Sequence, residues 1–262
     1  MRIKNNKIGY IALSLVTTLF VGCGGSSSSG PTKNSGTGSI DLANYFPKAD
    51  TSKTFTTLEG NTTKFETGVY EDTISVVTDK NITTITTVDS DGDTEKIVIT
   101  DKNITRIEGS DTYSNFRHVN IGDTFYSLKD SETEDIEQNG IDYAQVTITT
   151  DLECTIDKEL KEFIKGEHSY TGDILKIKCI NNGKIIVDIN PALIALAPER
   201  FKDINGTHDN YNILDLYMKK DIGEIATIND DCILSSDTIE YQDDRKSECV
   251  EKRHLYDYYL ER

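Results

Sequence analysis

Apolar and polar side chains alternate along the second half of the chain. Three sets of apolar positions, each two residues apart, are Ala144, Val146 and Ile148, then Leu175, Ile177 and Cys179, then Leu214, Leu216 and Met218. Because the side chains of a strand point alternately to its two faces, this period of two predicts strands with one buried face. Asn182-Gly183 is typical of a hairpin turn, so we expect a turn there, before a strand with Ile185, Val187 and Ile189.

The first half, from about Thr56 to Leu128, contains short β-branched runs separated by turn residues, which is typical of a β-meander. The predicted strands include Thr73–Thr78, Ile82–Val88, Glu95–Thr100 and Ile104–Glu108. The phrase Asp-Lys-Asn-Ile-Thr at Asp79–Thr83 recurs 22 positions later at Asp101–Thr105, a distance of two strands and two turns. Since Thr occupies both faces of these strands, we expect a sheet of mixed polarity here and a firmer core in the second half.

The chain is therefore predicted to be all-β and mainly antiparallel, with a meander that forms a large curved sheet or half-barrel. One or two short helices are expected, one of them at Pro191–Leu196. The Tyr-rich end, His254–Leu260, is predicted to be a strand, with a helix as the alternative.

An apolar run from Ile8 to Val21 follows an N-terminus with three basic residues. Its 14 residues are fewer than the roughly 20 that span a bilayer as a helix, and the run is typical of a signal peptide. An uncleaved anchor helix is the alternative.

The sequence Leu19-Phe20-Val21-Gly22-Cys23 resembles the lipobox of bacterial lipoproteins, which are cleaved before the Cys and lipidated on its thiol. The resemblance implies lipidation of Cys23 and attachment to a membrane through the N-terminal lipid. By resemblance to lipoprotein sorting, Gly24 favours the outer membrane, with the protein on its periplasmic or its outer surface.

Composition divides the chain into three parts. Residues 1–22 are the predicted signal peptide, and residues 23–41, rich in Gly, Ser and Thr, are a predicted flexible tether with a reach of roughly 20–25 Å. Residues 42–262 are the predicted β-sheet domain, with a possible subdivision near 130–142.

The chain is strongly acidic. Its net charge of −17 becomes −20 when Arg2, Lys4 and Lys7 are removed with the signal peptide. Nucleic acid is excluded as a partner, because binding to phosphates requires clustered Lys and Arg. The charge is explained by solubility alone or, alternatively, by attraction to divalent cations or basic partners.

Four cysteines follow Cys23, and an even number in an exported protein favours disulfides. The favoured pairs are Cys154–Cys179 and Cys232–Cys249. Cys154 and Cys179 both lie at inward positions of their predicted strands, which supports the first pair. Zinc is the alternative, although no Cys-x-x-Cys spacing is present.

Four N-x-S/T sequons begin at Asn61, Asn81, Asn103 and Asn205, and an acidic residue precedes each asparagine by two positions. Acids make up only 45 of 262 residues, so finding an acid before all four asparagines exceeds chance. Asn81 and Asn103 lie in the repeated phrase, however, so these two occurrences are not independent. The pattern resembles the extended sequon of bacterial periplasmic oligosaccharyltransferases. It predicts glycosylation, with turn formation by Asp and Asn as an equally weighted alternative.

Asp89, Asp91, Asp93 and Glu95 resemble half of a calcium loop. The favoured alternative is a hairpin turn at Asp91-Gly92. Apart from the zinc alternative at the cysteines, calcium is the only cofactor that the sequence suggests.

No catalytic motif is recognisable, and the four histidines lack metal-ligand spacing. Thr207-His208-Asp209 is predicted to lie in a polar loop with a solvated His208. The sequence therefore favours a protein that is not an enzyme.

Asn44-Tyr45-Phe46-Pro47, followed by Thr54-Phe55, resembles the "YFP" opening of a family of uncharacterised bacterial lipoproteins, and Leu216–Ile225 resembles its "YYAKGIGLI" signature. The resemblance implies a large curved antiparallel sheet and no established activity. The leading expectation is a lipid-anchored binding or envelope-structural protein with an unknown protein or envelope partner. The alternatives are a carrier of an apolar ligand on a curved sheet and a hydrolase of envelope glycans, which needs paired carboxylates across a cleft.

Overall fold

The computed structural model describes residues 37–61, 64–109, 111–138, 141–201, 205–233 and 253–261. Cys23, the tether up to residue 36 and Cys249 lie outside these residues. No helix in the described ranges has the length and apolar character needed to cross a membrane.

Strands dominate the described part of the chain. They are β1 Ile40–Asp41, β2 Thr51–Asn61, β3 Lys64–Asp79, β4 Ile82–Asp89, β5 Thr94–Ile99, β6 Asn103–Glu108, β7 Asp111–Phe116, β8 His118–Val119, β9 Thr124–Gln138, β10 Ile141–Lys165, β11 His168–Ile189, β12 Gly206–Lys219, β13 Gly223–Ile233 and β14 Arg253–Leu260. The helices are short: a 3-10 helix at Leu42–Tyr45, α1 at Pro191–Leu196 and α2 at Pro198–Phe201.

Twelve strands form one antiparallel sheet in the order β7-β6-β5-β4-β3-β2-β14-β13-β12-β11-β10-β9. The first wall, β2 to β7, and the second wall, β9 to β14, join where β14 pairs with β2. The sheet curls until its two end strands approach, with the rings of Tyr113 in β7 and Tyr126 in β9 centred 5.5 Å apart. The all-β prediction is confirmed, and the sheet closes further than a half-barrel.

The alternating pattern of the second half produces the predicted inward face. Leu175, Ile177, Leu214 and Leu216 are each at most 4% exposed. Cys154 lies directly opposite Cys179 on the neighbouring strand, and the two sulfurs are bonded at 2.11 Å. The prediction of this disulfide is therefore confirmed.

The second predicted disulfide involves the C-terminal part of the chain. Cys232 lies in β13, and its predicted partner, Cys249, lies outside the described residues. The Cys232–Cys249 bond therefore stays a prediction.

The predicted turn at Asn182-Gly183 is wrong, because both residues lie inside β11 and pair with Tyr211 and Asn210 of β12. Neither residue has the positive φ that the expected turn requires. Gly183 is needed for another reason: a Cβ there would lie 2.1 Å from the Thr149 carbonyl oxygen. The observed turn, at Gly166 and Glu167, joins β10 to β11.

The N-terminal segment Ile40–Phe46 packs into the interior of the curled sheet as a plug. Leu42 is 1% exposed and belongs to the same apolar cluster as residues from both walls. β1 pairs with β8, and the Arg117 guanidinium donates to both carboxylate oxygens of Asp41 at 2.7 Å. The plug therefore fills space that would otherwise be open to a ligand.

A second apolar cluster lies on the outer surface of the second wall. The tip of the β10–β11 hairpin folds back so that Phe163 and Tyr170 pack with Tyr217 and Tyr259. The Tyr170 hydroxyl donates to the Leu260 carbonyl at 2.7 Å. These contacts hold the tip of the β10–β11 hairpin against β12 and β14.

Candidate binding surface

The last part of β9 is a free sheet edge in the described structure. β9 has 15 residues and pairs only with β10, whereas β7, the strand at the other end of the sheet, has six. The contact between Tyr113 and Tyr126 places β7 beside the beginning of β9. Residues 130–138 of β9 consequently extend past β7, and the described part of the chain places no strand against their outer side. The Ser131 amide donates to the Asp130 carboxylate at 2.8 Å, and the amides further along this edge are open to a partner.

This free edge carries a dense run of acids. Between positions 130 and 137 the acids are Asp130, Glu132, Glu134, Asp135 and Glu137. Every residue from Ser131 to Glu137 is exposed, so both faces of the strand are open to solvent. We call residues 130–138 of β9, together with residues 141–150 of β10, the acidic extension.

A groove of about 380 Å³ lies on the acidic extension. Its lining residues are Asp135, Ile136, Glu137, Asp142, Ala144, Gln145, Asp188, Asn190 and Pro191. None of them is a Lys or Arg, and four are carboxylates. Ile136 is 36% exposed and places an apolar side chain among these acids.

Hydrogen bonds fix the walls of the groove. The Gln145 amide nitrogen donates to Asp135 at 2.9 Å across the β9–β10 ladder. Asn190 donates to the Asp142 carbonyl at 2.9 Å and also accepts from the Ala192 amide at the start of α1. A partner would therefore meet a preformed acidic surface with an apolar centre.

A second group of charges lies inside the curled sheet. The Lys53 ammonium donates to the Glu224 carbonyl oxygen at 3.0 Å, and Glu95 forms an ion pair with Arg106 at 2.7 Å. Asp72 stands opposite Lys53 in the β2–β3 ladder. Burial raises the pKa of Asp72 to about 6 and that of Glu95 to about 7, and it lowers the pKa of Lys53 to about 8.

This interior cluster could exchange protons, but the cavity beside it in the described part of the chain has little room for a substrate. The adjacent cavity, which Arg106 lines together with Leu42 and Phe46 of the plug, has a volume of about 40 Å³. That volume is on the scale of a few water molecules. Carboxylates that act on a sugar must flank a space large enough for the sugar ring.

The structure brings together only part of the predicted calcium group. Asp89 accepts hydrogen bonds from the backbone amides of Asp91 and Asp93 at 2.9 and 2.8 Å, which is the geometry of an Asx turn. Glu95 instead points inward to Arg106. Within the described ranges no three acidic, His or Cys side chains are arranged to hold a metal, and calcium binding stays a prediction.

The sequons occupy different environments. Asn81 and Asn103 are exposed, and Asn205 is exposed but accepts a hydrogen bond from the Ile189 amide at 2.8 Å. Asn61 ends β2.

The predicted position of His208 is wrong. Instead of lying solvated in a loop, His208 lies in β12 and is only 8% exposed. The reason is that its strand pairs with β11, where Ile185 stands opposite His208.

The acidic extension carries only a weak signal in the sequence. Asp and Glu are unfavourable in strands, so the run near 130–142 indicates a possible subdivision more readily than a strand. The available signal is the alternation of Ser and Thr with acids at Ser131–Glu134, which a free edge tolerates and a paired, buried strand does not.

Comparison with models of protein families, with curated proteins and with solved structures finds no match to this chain. The resemblance to the "YFP" lipoproteins therefore stays a prediction.

Proposed function

We propose that this protein is a lipid-anchored protein of the bacterial cell envelope that binds a basic protein partner through the acidic extension. The observation that carries the proposal is the free edge of β9, which combines backbone amides open to a partner with five acids and a preformed groove. Extended segments of partner proteins add to such edges, and charge selects among them.

The acidic composition of the edge also limits what binds there. Two copies of β9 side by side would place acids against acids, which disfavours self-association. A segment with Lys or Arg at alternate positions would neutralise these carboxylates and pair with the backbone. The favoured occupant is therefore an extended basic segment of another protein.

The position of the extension relative to the anchor supports this role. The plug enters beside β8, and β9 starts shortly afterwards at Thr124. Asp135 lies 11 residues further along β9, roughly 35 Å at the rise of an extended strand. The groove thus lies at the opposite end of β9 from the point where the predicted tether joins the domain.

The carrier alternative receives less support from the interior. The plug and the apolar side chains of both walls pack against each other, and the cavity of about 40 Å³ is far too small for an acyl chain. The hydrolase alternative is disfavoured for the same reason, because Asp72, Glu95 and Glu224 lie in the packed interior.

Site-specific photocrosslinking in living cells tests the proposed surface. A photoreactive residue at Thr133 or Ile136 is expected to give a discrete adduct with another protein. Val69 and Val77, which are 71% and 65% exposed on the first wall, are the control positions. The same adducts at the control positions, or none at Thr133 and Ile136, would contradict the proposal.

The anchor is tested separately. Labelling with a radioactive or clickable fatty acid should modify the parent chain, and the Cys23→Ser variant should remain unlabelled. Labelling that persists in Cys23→Ser would show that the lipid is attached elsewhere or that the lipobox resemblance is misleading.

A further inference from the structure

We propose that Asn81 and Asn103 are N-glycosylation sites. The sequence pattern leaves glycosylation and turn formation equally open for the four sequons. Among the sequons whose side chains the structure describes, the fold separates Asn81 and Asn103 from Asn205 by what the asparagine side chain does. Asn103 contributes to its turn only through its backbone, with its amide donating to the Thr100 hydroxyl at 3.0 Å.

The two sites occupy equivalent positions in the fold. Asn81 lies in the turn between β3 and β4, and Asn103 begins β6 directly after the turn from β5. Since β3, β4, β5 and β6 are neighbours in that order, both turns lie at the same end of the first wall. Two strand spacings, about 10 Å, separate them.

Both asparagines are accessible and flanked by exposed residues. Asp79, Lys80 and Asn81 are all exposed, as are Asp101, Lys102 and Asn103. Lys80 has a φ of 55°, which tightens its turn and holds the sequon at the rim of the sheet. A glycan at either position would extend into solvent without displacing a strand.

The side-chain amides of Asn81 and Asn103 have no hydrogen-bond partner among the described residues. Asn205 differs, because its side-chain oxygen accepts from the Ile189 amide at 2.8 Å and its backbone amide donates to the Phe201 carbonyl at 2.9 Å. Turn and cap formation accounts for Asn205. It does not account for the side chains at Asn81 and Asn103.

The threonines of these two sequons have a role that a glycan would leave intact. The Thr83 hydroxyl lies 3.1 Å from that of Thr78, and the Thr105 hydroxyl lies 3.1 Å from that of Ser114. These contacts lie within the sheet, whereas each asparagine lies at its rim. The modified protein would thus keep the same strand pairing.

The donor is an oligosaccharide linked to a polyprenyl diphosphate. The amide nitrogen of asparagine forms a bond with C1 of the first sugar as the bond from C1 to the diphosphate oxygen breaks. The diphosphate lipid leaves with the electron pair, and one amide proton is released to a base. No oxidant or reductant is required.

Intact-mass analysis of the full chain, purified from its native source or from cells with an acid-requiring periplasmic oligosaccharyltransferase, tests the proposal. The parent chain should carry glycans, and Asn81→Gln and Asn103→Gln should each lose the mass of one. Asp79→Ala and Asp101→Ala should lose the same masses, because they remove the acid and keep the asparagine. Asn205→Gln is the matched control and should lose none.

A bare polypeptide, or glycan confined to asparagines other than these two, would overturn the proposal. Loss of mass in only one of the two variants would overturn it for the other site. Circular dichroism of each variant establishes that the sheet is intact, so that a lost glycan is not the result of misfolding.

Discussion

The two walls of the curled sheet are built in different ways. The short strands β4 to β6 have six to eight residues and bury isolated apolar positions such as Ile85 and Ile99, with Asp72 and Glu95 in the same interior. Strands β10 and β11 have 25 and 22 residues and present an apolar inward face with a disulfide. The difference indicates that the second wall supplies most of the stability and that the first wall closes the interior.

The largest effect should come from shortening an apolar side chain of the second wall. Ile177 is 0% exposed, and Ile177→Ala should lower the free energy of unfolding by about 4 kcal/mol. Ile97 of the first wall is only partly buried, and Ile97→Ala should cost about 1–2 kcal/mol. Urea denaturation measures both variants, and equal losses would contradict the difference between the walls.

Removing the disulfide should lower the free energy of unfolding slightly less than Ile177→Ala does. Cys154 and Cys179 are 25 residues apart, so removing their bond should cost about 3 kcal/mol. The measurement is urea denaturation with and without reductant in a Cys232→Ala/Cys249→Ala background, where only this bond can respond. An unchanged unfolding midpoint would show that the bond does not form or does not constrain the unfolded chain.

A smaller effect is expected at the contact between the plug and the sheet. Arg117→Ala removes a two-bond ion pair to Asp41 whose side chains are 27% and 20% exposed, and it should cost about 1–2 kcal/mol. Lys129→Ala breaks a pair whose side chains are 80% and 49% exposed and should cost less than about 0.5 kcal/mol. Thermal unfolding measures the stability of both variants. Similar losses of stability would contradict the claim that the ion pair between Arg117 and the plug contributes more than a surface ion pair.

The last expected effect is a pH dependence caused by the acids inside the first wall. The pKa values of Asp72 and Glu95 are raised by burial to about 6 and about 7, so the folded chain holds these protons more tightly than the unfolded chain. Their contribution to stability is complete below about pH 4 and is lost as the pH rises through about 6 to 7. Because the pKa of Lys53 is lowered to about 8, its titration changes the stability only at pH values above this range.

Glu95→Gln isolates that contribution from the repulsion among the many surface acids. Unfolding free energies measured from about pH 4.5 to about 7.5 should fall less steeply for Glu95→Gln than for the parent chain. Glu71→Gln, an exposed position on the first wall, is the control and should follow the parent. Parallel curves for the parent and Glu95→Gln would contradict the buried position of this carboxyl group.

The second wall could be predicted from the sequence better than the rest of the molecule, for a physical reason. Period-two alternation is local, so it identifies the inward face and the positions of Cys154 and Cys179. The plug could not be predicted, because Ile40–Phe46 has no periodicity and its partners, such as Val119 and Arg117, are distant in sequence.

Two further features depend on pairing that no single segment encodes. Asn182-Gly183 misleads because the turn signal of the dipeptide is local, whereas the pairing that keeps it extended comes from β10 and β12. The candidate binding surface could not be predicted either, because a free edge follows from the order of the strands in the sheet.

The most direct measurement of the central claim is the affinity of a fluorescent peptide with alternating Lys and Thr for the purified, unlipidated chain. We expect Glu132→Lys/Glu134→Lys/Asp135→Lys to weaken binding at least about tenfold, measured by anisotropy at fixed salt. Glu71→Lys/Glu162→Lys/Glu167→Lys, which reverses three exposed acids elsewhere, should bind like the parent. Methylation of alternate peptide amides should also weaken binding, because strand addition needs those donors. Equal losses in the two triple variants would contradict a specific role for the acidic extension.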